Sequence, residues 1–244
     1  MGESLPLLAV VAALAVVQSV FGVGLLLFGT PALLLLGLGF REALCMLLPA
    51  SVAVSALQVA FGREHLPRGE AAAFVCWAIP ALVAGLVWRL SLPSMPSADA
   101  LLALLLLLGA GLRHIEALGA AIRHLLGRQR QSSLAAIGLL HGCTNMGGVV
   151  LPLYAALRET EKSRITACVA LGYLLLAGSQ LLVLVIWRAP SDPWPAIAPA
   201  VVAAAVYLTL GRRVWLAVRQ RAYQAALSIF MVACAGALTL RQLA

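Results

Sequence analysis

Long apolar runs, separated by short polar segments, fill almost the whole chain. The first run covers residues 5–39 and contains hardly any polar side chain. A straight helix of that length would extend about 50 Å at 1.5 Å per residue, whereas the hydrocarbon core of a bilayer is roughly 30 Å thick. We therefore expect the run to break or fold back, and the candidate positions are Gly22, Gly24, Gly29 and Pro31.

Later apolar runs have the length of membrane-spanning helices. The pattern predicts spans at residues 43–62, 71–90, 165–187, 195–210 and 222–240, a shorter apolar run at 101–112 and a glycine-containing run at 134–157. Pro80 predicts a kink in the second span. Residues 113–130 alternate apolar and basic positions at helical spacing, which is typical of a helix lying along the membrane surface, and residues 211–221 are predicted to form a basic loop.

Two stretches place glycines and a proline inside apolar sequence. Residues 18–31 read QSVFGVGLLLFGTP, and residues 141–152 read HGCTNMGGVVLP. Irregular backbone at membrane depth is tolerated only where protein or water satisfies the freed N–H and C=O groups. We therefore predict that both stretches are broken helices that line a site.

Composition supports a membrane location for these runs. Hydrophobic residues make up 63% of the 244 residues, the mean hydropathy is +1.01 and only 11% of residues are charged, against roughly 25% in a soluble domain. The runs lack the apolar/polar alternation of a membrane β-barrel. We predict an all-α, polytopic membrane protein whose N-terminal run is retained and not cleaved as a signal.

The net charge of +8 does not indicate a nucleic-acid partner. The basic residues fall in short loops, where they act as topology signals. The cysteines lie inside apolar runs without metal-ligand spacing, so we interpret them as packing residues and predict no metal and no cofactor. They are Cys45, Cys76, Cys143, Cys168 and Cys234.

A shift of 123 residues aligns the two glycine-rich stretches without a gap. It pairs Gln18 with His141, Gly24 with Gly147, Leu34 with Leu157, Arg41 with Arg164 and Cys45 with Cys168. The prolines do not coincide, since Gly29 falls on Pro152. Repeats with broken helices at corresponding positions point to a transporter's site, although chance similarity between Leu- and Ala-rich segments would also explain the alignment.

The distribution of basic residues favours a hairpin at each glycine-rich stretch. If each stretch returns to its own side, the loops at residues 63–68, 113–130, 158–164 and 212–221 share one side and hold 13 of the 17 Lys and Arg residues. If each stretch crosses once, the split is 8 against 9. The positive-inside rule therefore predicts both termini outside and two inverted repeats. Each repeat has a Gly-broken N-terminal hairpin and about three further transmembrane helices, at residues 1–112 and 133–244, with a basic cytoplasmic linker at 113–132.

Such hairpins suit the binding of an oxyanion. Half-helices present free backbone N–H groups and positive dipole ends, glycine permits close backbone approach, and Asn145 tolerates the left-handed region and donates through its amide. The predicted substrate-binding residues are Gln18, Gly22, Gly24, His141, Thr144, Asn145, Gly147 and Gly148. The residues predicted to gate the site or to make secondary contacts are Arg41, Ser51, Ser55, Arg164, Ser179 and Gln180.

His141 is the one clearly membrane-embedded ionisable residue apart from the cysteines. It either couples transport to protons, contacts the anion directly, or packs as a satisfied helix histidine. The sequence does not indicate a carboxylate proton relay, because the acidic residues considered for one all fall at predicted boundaries. They are Glu42, Glu70, Asp99, Glu159, Glu161 and Asp192.

These motifs resemble the TauE/SafE family of sulfite and organosulfonate exporters, also called the toluene-sulfonate uptake permease family. The resemblance rests on FGVGLLLFGTP at residues 21–31, GCTNMGG at residues 142–148, and two similar halves joined by a basic loop. Members often carry three glycines in the first motif and Gly-Gly-Pro in the second, where this chain has Leu25, Leu26 and Val149. The resemblance implies transport of a small sulfur-containing or carboxylate anion across a bacterial inner membrane.

The leading hypothesis is a secondary transporter of a small anion that works by alternating access, with the two hairpins meeting near the midplane. The bilayer and the anion are its predicted partners, and its oligomeric state is left open. The alternatives are an intramembrane enzyme and a non-transporting membrane subunit. A rhomboid-like protease would need a Gly-x-Ser-Gly motif, which the sequence lacks, and a structural subunit would use its glycines only for helix packing.

Overall fold

The structure of the chain, a computed structural model, describes residues 4–91, 129–159, 161–186 and 194–217. Every regular element in these ranges is helical, which confirms the all-α prediction. The helices are α1 (Ser4–Phe21), α2 (Leu25–Leu35), α3 (Phe40–Phe61), α4 (Glu70–Ser91, with a π-helical turn at Phe74–Ala78), α5 (Arg130–Thr144), α6 (Leu151–Arg158), α7 (Lys162–Ile186) and α8 (Trp194–Val206, continuing through a π-helical turn at Tyr207–Gly211 to Arg212–Ala217). The predicted segments at 101–112 and 222–240, and most of 113–130, lie outside the described residues.

Four of the described helices are long and apolar enough to cross a bilayer. They are Phe40–Phe61, Glu70–Ser91, Ser163–Ile186 and Ile197–Ala217. Each coincides with a predicted span, so the multi-span prediction is confirmed. A π-helical turn at Phe74–Ala78 precedes Pro80, where the sequence predicts a kink. The proline ring would clash with the carbonyl four residues earlier, which lies in that turn.

Two helix boundaries differ from the prediction. α5 begins at Arg130, so the last three residues of the predicted linker, 130–132, form the first turn of this helix. α8 continues to Ala217 through residues predicted to be a basic loop. The long arginine side chains at positions 212 and 213 can reach water from the end of a span, so basic residues there do not end the helix.

The surface of the described residues differs from that of a soluble protein, although the core is mainly apolar in both. Buried positions include the amides and the imidazole of Gln18, His141, Asn145 and Gln180, which are fully buried. The outer surface carries large apolar side chains that are 60–71% exposed, including Leu182, Val185, Ile186, Val201 and Leu216. Apolar residues outside and hydrogen-bonded polar residues inside are the arrangement that a lipid surrounding favours.

α1 and α2 form an antiparallel hairpin around residues 22–24. Gly24 packs on the α1 backbone so closely that a Cβ there would lie 2.6 Å from Gln18 N. Gly29 faces Leu14, where a Cβ would lie 3.2 Å from Leu14 Cδ1. Gly24 contacts Gln18, and the later Gly29 contacts the earlier Leu14. α2 therefore runs antiparallel to α1, and the chain returns towards the side from which α1 starts.

α5 and α6 form a second hairpin, and one buried carboxylate holds its two ends together. Arg130 Nη2, at the start of α5, lies 2.6 Å from Glu70 Oε2, and Arg158 Nε, at the end of α6, lies 4.0 Å from the same oxygen. Tyr154 Oη donates a hydrogen bond of 2.5 Å to Glu70 Oε1. Because the segment begins and ends at Glu70, it also returns to the side on which it started.

The basic segments gather at one end of the described helices, which we call the basic end. Glu70 brings Arg130 and Arg158 together there, and one cavity is lined by residues next to the other basic segments, His65 and Arg212. At the far end of α4 the Arg89 guanidinium lies 4.7 Å from the centroid of the Phe40 ring. Arg89 and the basic end therefore lie at opposite ends of α4.

Glycines let α4 and α5 pack with their backbones in contact. Gly138 and Gly142 are four residues apart on one face of α5 and rest directly on the carbonyl groups of Ala78 and Leu82. Gly85 of α4 in turn rests on the α5 backbone, since a Cβ at this position would lie 2.8 Å from Leu139 O. This is the small-xxx-small packing typical of membrane helices, and it places the second hairpin against α4.

We expect Gly138→Ala to destabilise the protein by about 1–3 kcal/mol or more, because the new methyl group would overlap a backbone carbonyl that cannot move aside. Gly178→Ala is the matched control, since no atom of the described residues lies within 4 Å of its Cβ position. Thermal unfolding of purified protein in detergent measures the difference. Equal midpoints for the two variants would contradict the proposed backbone contact.

Candidate functional site

The first helix break is held by the side chain of Gln18, one turn before the end of α1. Gly22 adopts a left-handed conformation, with φ 69°, and its N–H donates to Gln18 O at 2.8 Å. The Gln18 side-chain oxygen then accepts a hydrogen bond of 3.2 Å from Leu25 N, the first residue of α2. Gln18 therefore satisfies groups at the end of one half-helix and at the start of the next, which is what a buried break requires.

α3 fixes the orientation of the Gln18 amide. Gln18 Nε2 lies 3.2 Å from Ser51 Oγ and 3.0 Å from Ser55 Oγ, on successive turns of α3. Gln58, one turn further on, donates its amide to the carbonyl groups of Gln18 and Ser19 at 3.1 and 3.4 Å. The predicted secondary contacts Ser51 and Ser55 thus support Gln18 directly in this structure.

The second helix break is built on His141 in a similar way. Asn145 adopts a left-handed conformation, with φ 61°, and its N–H donates to His141 O at 2.7 Å. His141 Nδ1 accepts a hydrogen bond of 3.1 Å from Gly147 N. Thr144 Oγ1 accepts another, of 3.1 Å, from Met146 N. An Nδ1 that accepts requires the proton of the neutral ring to be on Nε2.

The two breaks share one backbone design at the offset of 123 residues. The left-handed residues Gly22 and Asn145 are aligned, and each donates to the carbonyl group four residues earlier. The aligned pair Gln18 and His141 each accepts a backbone N–H from beyond its own break. The Gln180 amide donates to His141 O at 3.2 Å, as Gln58 does to Gln18 O.

The breaks are connected directly across the protein. Asn145 Nδ2 donates a hydrogen bond of 2.8 Å to Thr30 Oγ1 in α2, and Thr30 itself donates to Leu26 O one turn earlier. α7 lies against both breaks, because Val169 faces Gly22 and the Tyr173 ring stacks edge-on to His141 with 5.9 Å between centroids. The two stretches predicted from the sequence to meet therefore do meet.

Several buried polar atoms at the breaks have no protein partner among the described residues. They are His141 Nε2, Asn145 Oδ1 and Gln180 Oε1. The Leu26 and Leu27 N–H groups, in the first turn of α2, likewise have no acceptor in the described part of the chain. An unmet buried polar group costs about 1–3 kcal/mol, so a cluster of them marks a place where a ligand or water binds.

The break glycines serve close packing in this structure. The space that a side chain would need is filled by Val169 at Gly22, by Gln18 at Gly24, by His141 at Gly147 and by the Tyr173 hydroxyl at Gly148. The expected free N–H groups are also partly occupied, since Leu25, Met146 and Gly147 each donate to a side chain. An anion at the breaks would therefore bind the remaining unmet groups or replace a side-chain acceptor.

The remaining predicted residues lie elsewhere. Arg41 is exposed at the start of α3, on the side of Arg89. Arg164 is exposed at the basic end, with its Nη1 3.1 Å from Glu159 Oε2. Ser179 lies beside Gln180 in α7 and is half-buried. The structure does not bring the two arginines to the breaks.

Four residues that the structure makes important are not among the predicted site residues. Thr30 stands inside the first glycine-rich stretch, and Gln58 was visible as a polar residue in a span. Tyr173 has no distinguishing sequence context. Glu70 was placed at a boundary, yet it is only 4% exposed and joins three helices. Among the described residues, no group of His, Cys, Asp and Glu side chains is arranged to hold a metal.

A cavity of about 170 Å³ lies near the first break and extends towards the basic end. Ser19 and Gln58 line it, whereas Gly24 and Gly147 do not. The hydrogen bonds from Gln58 to the last turn of α1 connect its wall with the break.

The sequence matches the family model described as "Sulfite exporter TauE/SafE" over residues 7–238. The match includes both glycine-rich stretches, both hairpins and all four spanning helices described above. No curated protein and no solved structure matches the chain.

We expect Gln18→Leu to destabilise the fold by about 2–4 kcal/mol, because it leaves the Leu25 N–H and the hydroxyl groups of α3 without their buried partner. Gln131→Leu, an exposed position in the first turn of α5, is the control. Thermal unfolding in detergent and the yield of monodisperse protein measure both. If Gln18→Leu unfolds at the wild-type temperature, the amide does not hold the break.

Proposed function

We propose that this chain, which belongs to the TauE/SafE sulfite exporter family, is a secondary transporter that carries a small anion by alternating access. Membership in this family makes the chain a membrane transporter. The anion that we propose is sulfite, an organosulfonate or a related sulfur-containing or carboxylate anion. The membrane that we propose is a bacterial inner membrane.

One observation carries the proposal. Two broken hairpins lie against each other, joined by the hydrogen bond from Asn145 Nδ2 to Thr30 Oγ1, in a chain that a transporter family model covers almost completely. Broken helices at corresponding positions of two repeats are where secondary transporters bind their substrates and ions. The close packing of the break glycines is what a structural subunit would also show, so the match to a transporter family decides between the two interpretations.

The donors among the unmet groups suit an anion, whereas the unmet oxygens of Asn145 and Gln180 suit water or a protonated ligand oxygen. The His141 Nε2–H and the Leu26 and Leu27 N–H groups are neutral donors, and the N–H groups stand at the positive end of the α2 dipole. Neutral donors hold an oxyanion without the cost of a full charge at membrane depth, which is about 2.5–3.5 kcal/mol for an arginine at a helix centre. Asn145 can exchange its bond to Thr30 for a bond to the anion.

The arrangement of the hairpins supports alternating access between inverted halves. The open end of the second hairpin is at the basic end, where Arg130 and Arg158 share Glu70. The open end of the first hairpin leads into α3 at Phe40. Arg89 contacts the Phe40 ring there, at the end of the helices opposite the basic end. Hairpins that enter from opposite ends and touch at their breaks give each side of the membrane its own route to one site.

Proton coupling is a further part of the proposal and rests on His141. Its ring is fully buried, holds the break through Nδ1 and interacts with the Gln180 side chain. A proton added to Nδ1 would break the hydrogen bond from Gly147 N and add a positive charge beside the anion. Binding of anion and proton would then be coupled through one ring.

Sulfite and methanesulfonate flux into liposomes tests the site. We expect Asn145→Gly to lower the flux about tenfold or more, because glycine keeps the left-handed backbone and removes only the amide. Ser91→Ala, exposed at the far end of α4 and bonded only within its own helix, is the control and should stay within about twofold. Wild-type flux in both Asn145→Gly and His141→Ala would remove these residues from the site.

Cysteine labelling tests the topology. In a background without the native cysteines, we expect a membrane-impermeant maleimide to label Arg41→Cys in intact cells and Arg213→Cys only after permeabilisation. Both side chains are exposed, and they belong to opposite ends of the molecule. Labelling of the two positions from the same side would contradict the inverted arrangement.

A further inference from the structure

The cavity beside the first break has a positively charged and polar lining. It lies between the end of α1, the end of α3, the start of α7 and the π-helical turn of α8. Arg212, Tyr207 and Trp215 line it from α8, Ser163 and Thr166 from α7, and Gln58 from α3. We propose that this space, named here the Arg212 cavity, binds an oxyanion and is the first station of the transported anion at the basic end. This inference rests on the proposed transport function.

Arg212 gives the cavity its charge. Its guanidinium lies 4.8 Å from the centroid of the Phe61 ring, which also lines the cavity. No Asp or Glu is among the lining residues, and none in the described part of the chain forms an ion pair with Arg212. His65 also lines the cavity, and its Nε2 lies 3.5 Å from Glu64 Oε1. The Glu64 side chain is 77% exposed and does not line the cavity. The charge of Arg212 is therefore available to an anion.

Gln58 adds an unmet group to the wall. Its side chain is 7% exposed, and its Nε2 is used by the carbonyl groups of Gln18 and Ser19. Its Oε1 has no partner among the described residues. This oxygen is not exposed to the cavity in this conformation, so it takes part in binding only when the Gln58 side chain turns towards the cavity, where it would accept from an O–H of hydrogen sulfite or of a bound water molecule.

The size of the cavity suits a small anion. Its volume of about 170 Å³ exceeds the roughly 150 Å³ of an engineered cavity that accommodates benzene. An anion with one sulfur and three oxygens is smaller than benzene, which leaves room for bound water. A large sulfonate with an aromatic substituent would leave little such room.

α7 connects the cavity to both breaks. Thr166 lines the cavity, Val169 faces Gly22 at the first break, and Tyr173 packs on Gly148 at the second. These three residues are three and four positions apart and so share one face of the helix. The seven helical steps from Thr166 to Tyr173 correspond to about 10 Å of helix. The cavity therefore lies about 10 Å along α7 from the proposed site at the breaks, on the side of the basic end.

Binding of radiolabelled sulfite to the full chain in phosphatidylcholine nanodiscs tests the inference. We expect Arg212→Gln to weaken binding about tenfold, as for loss of a charge-assisted hydrogen bond, and Arg212→Lys to retain most of it. Arg213→Gln is the matched control. It removes the same charge from the neighbouring exposed position, which does not line the cavity, and should change binding less than twofold. Equal thermal stability of the three variants confirms that each is folded.

The outcomes separate this inference from the transport proposal. If the wild type carries sulfite, Asn145→Gly lowers the flux about tenfold or more, and Arg212→Gln binds like Arg213→Gln, the cavity is not an anion site while the transport function stands. Absence of any sulfite, sulfonate or carboxylate flux in the wild type would overturn both. Repeating the binding with added phosphatidylglycerol distinguishes the sources. An Arg212 effect without anionic lipid identifies the solute, whereas retention of phosphatidylglycerol that depends on Arg212, with unchanged sulfite binding, identifies a lipid headgroup.

Discussion

The structure depends on the capping of two helix ends far from water. A helix that stops inside a membrane leaves N–H and C=O groups that lipid cannot satisfy. Gln18 and His141 supply the missing partners from one turn before each break, and Gln58 and Gln180 complete the carbonyl side. With these four side chains in place, the chain can turn back within the apolar interior, and both hairpins follow from that.

The hairpins in turn determine where polar chemistry is placed. Each hairpin brings a left-handed residue, a dipole end and unmet polar atoms to its tip, while its open end stays near one surface. At the surface, Glu70 holds the two ends of the second hairpin together through contacts with two arginines and a tyrosine. Strong charges are thus kept near the ends of the helices, and the interior uses neutral donors. That division agrees with the cost of burying charge in lipid.

Much of this architecture could be predicted from the sequence. Hydropathy located the spans, the length of the first run required a fold-back, and the 123-residue offset paired Gln18 with His141 before any contact was known. The contacts between helices could not be predicted in this way. Tyr173 looks like any aromatic residue in a span, and Glu70 looks like a boundary carboxylate, because their roles depend on partners more than 30 residues away. The break glycines indicated the right places, but their first role is to admit neighbouring side chains.

The π-helical turn at Tyr207–Gly211 sets the direction of everything that follows it in α8. Such a turn contains one residue more than an α-helical turn, and each α-helical residue rotates the chain by about 100°. Removing a single residue from this stretch would swing the guanidinium at position 212 and the indole at position 215 away from the space they share with Gln58. A change in helix length by one residue would therefore move the positive charge out of the Arg212 cavity.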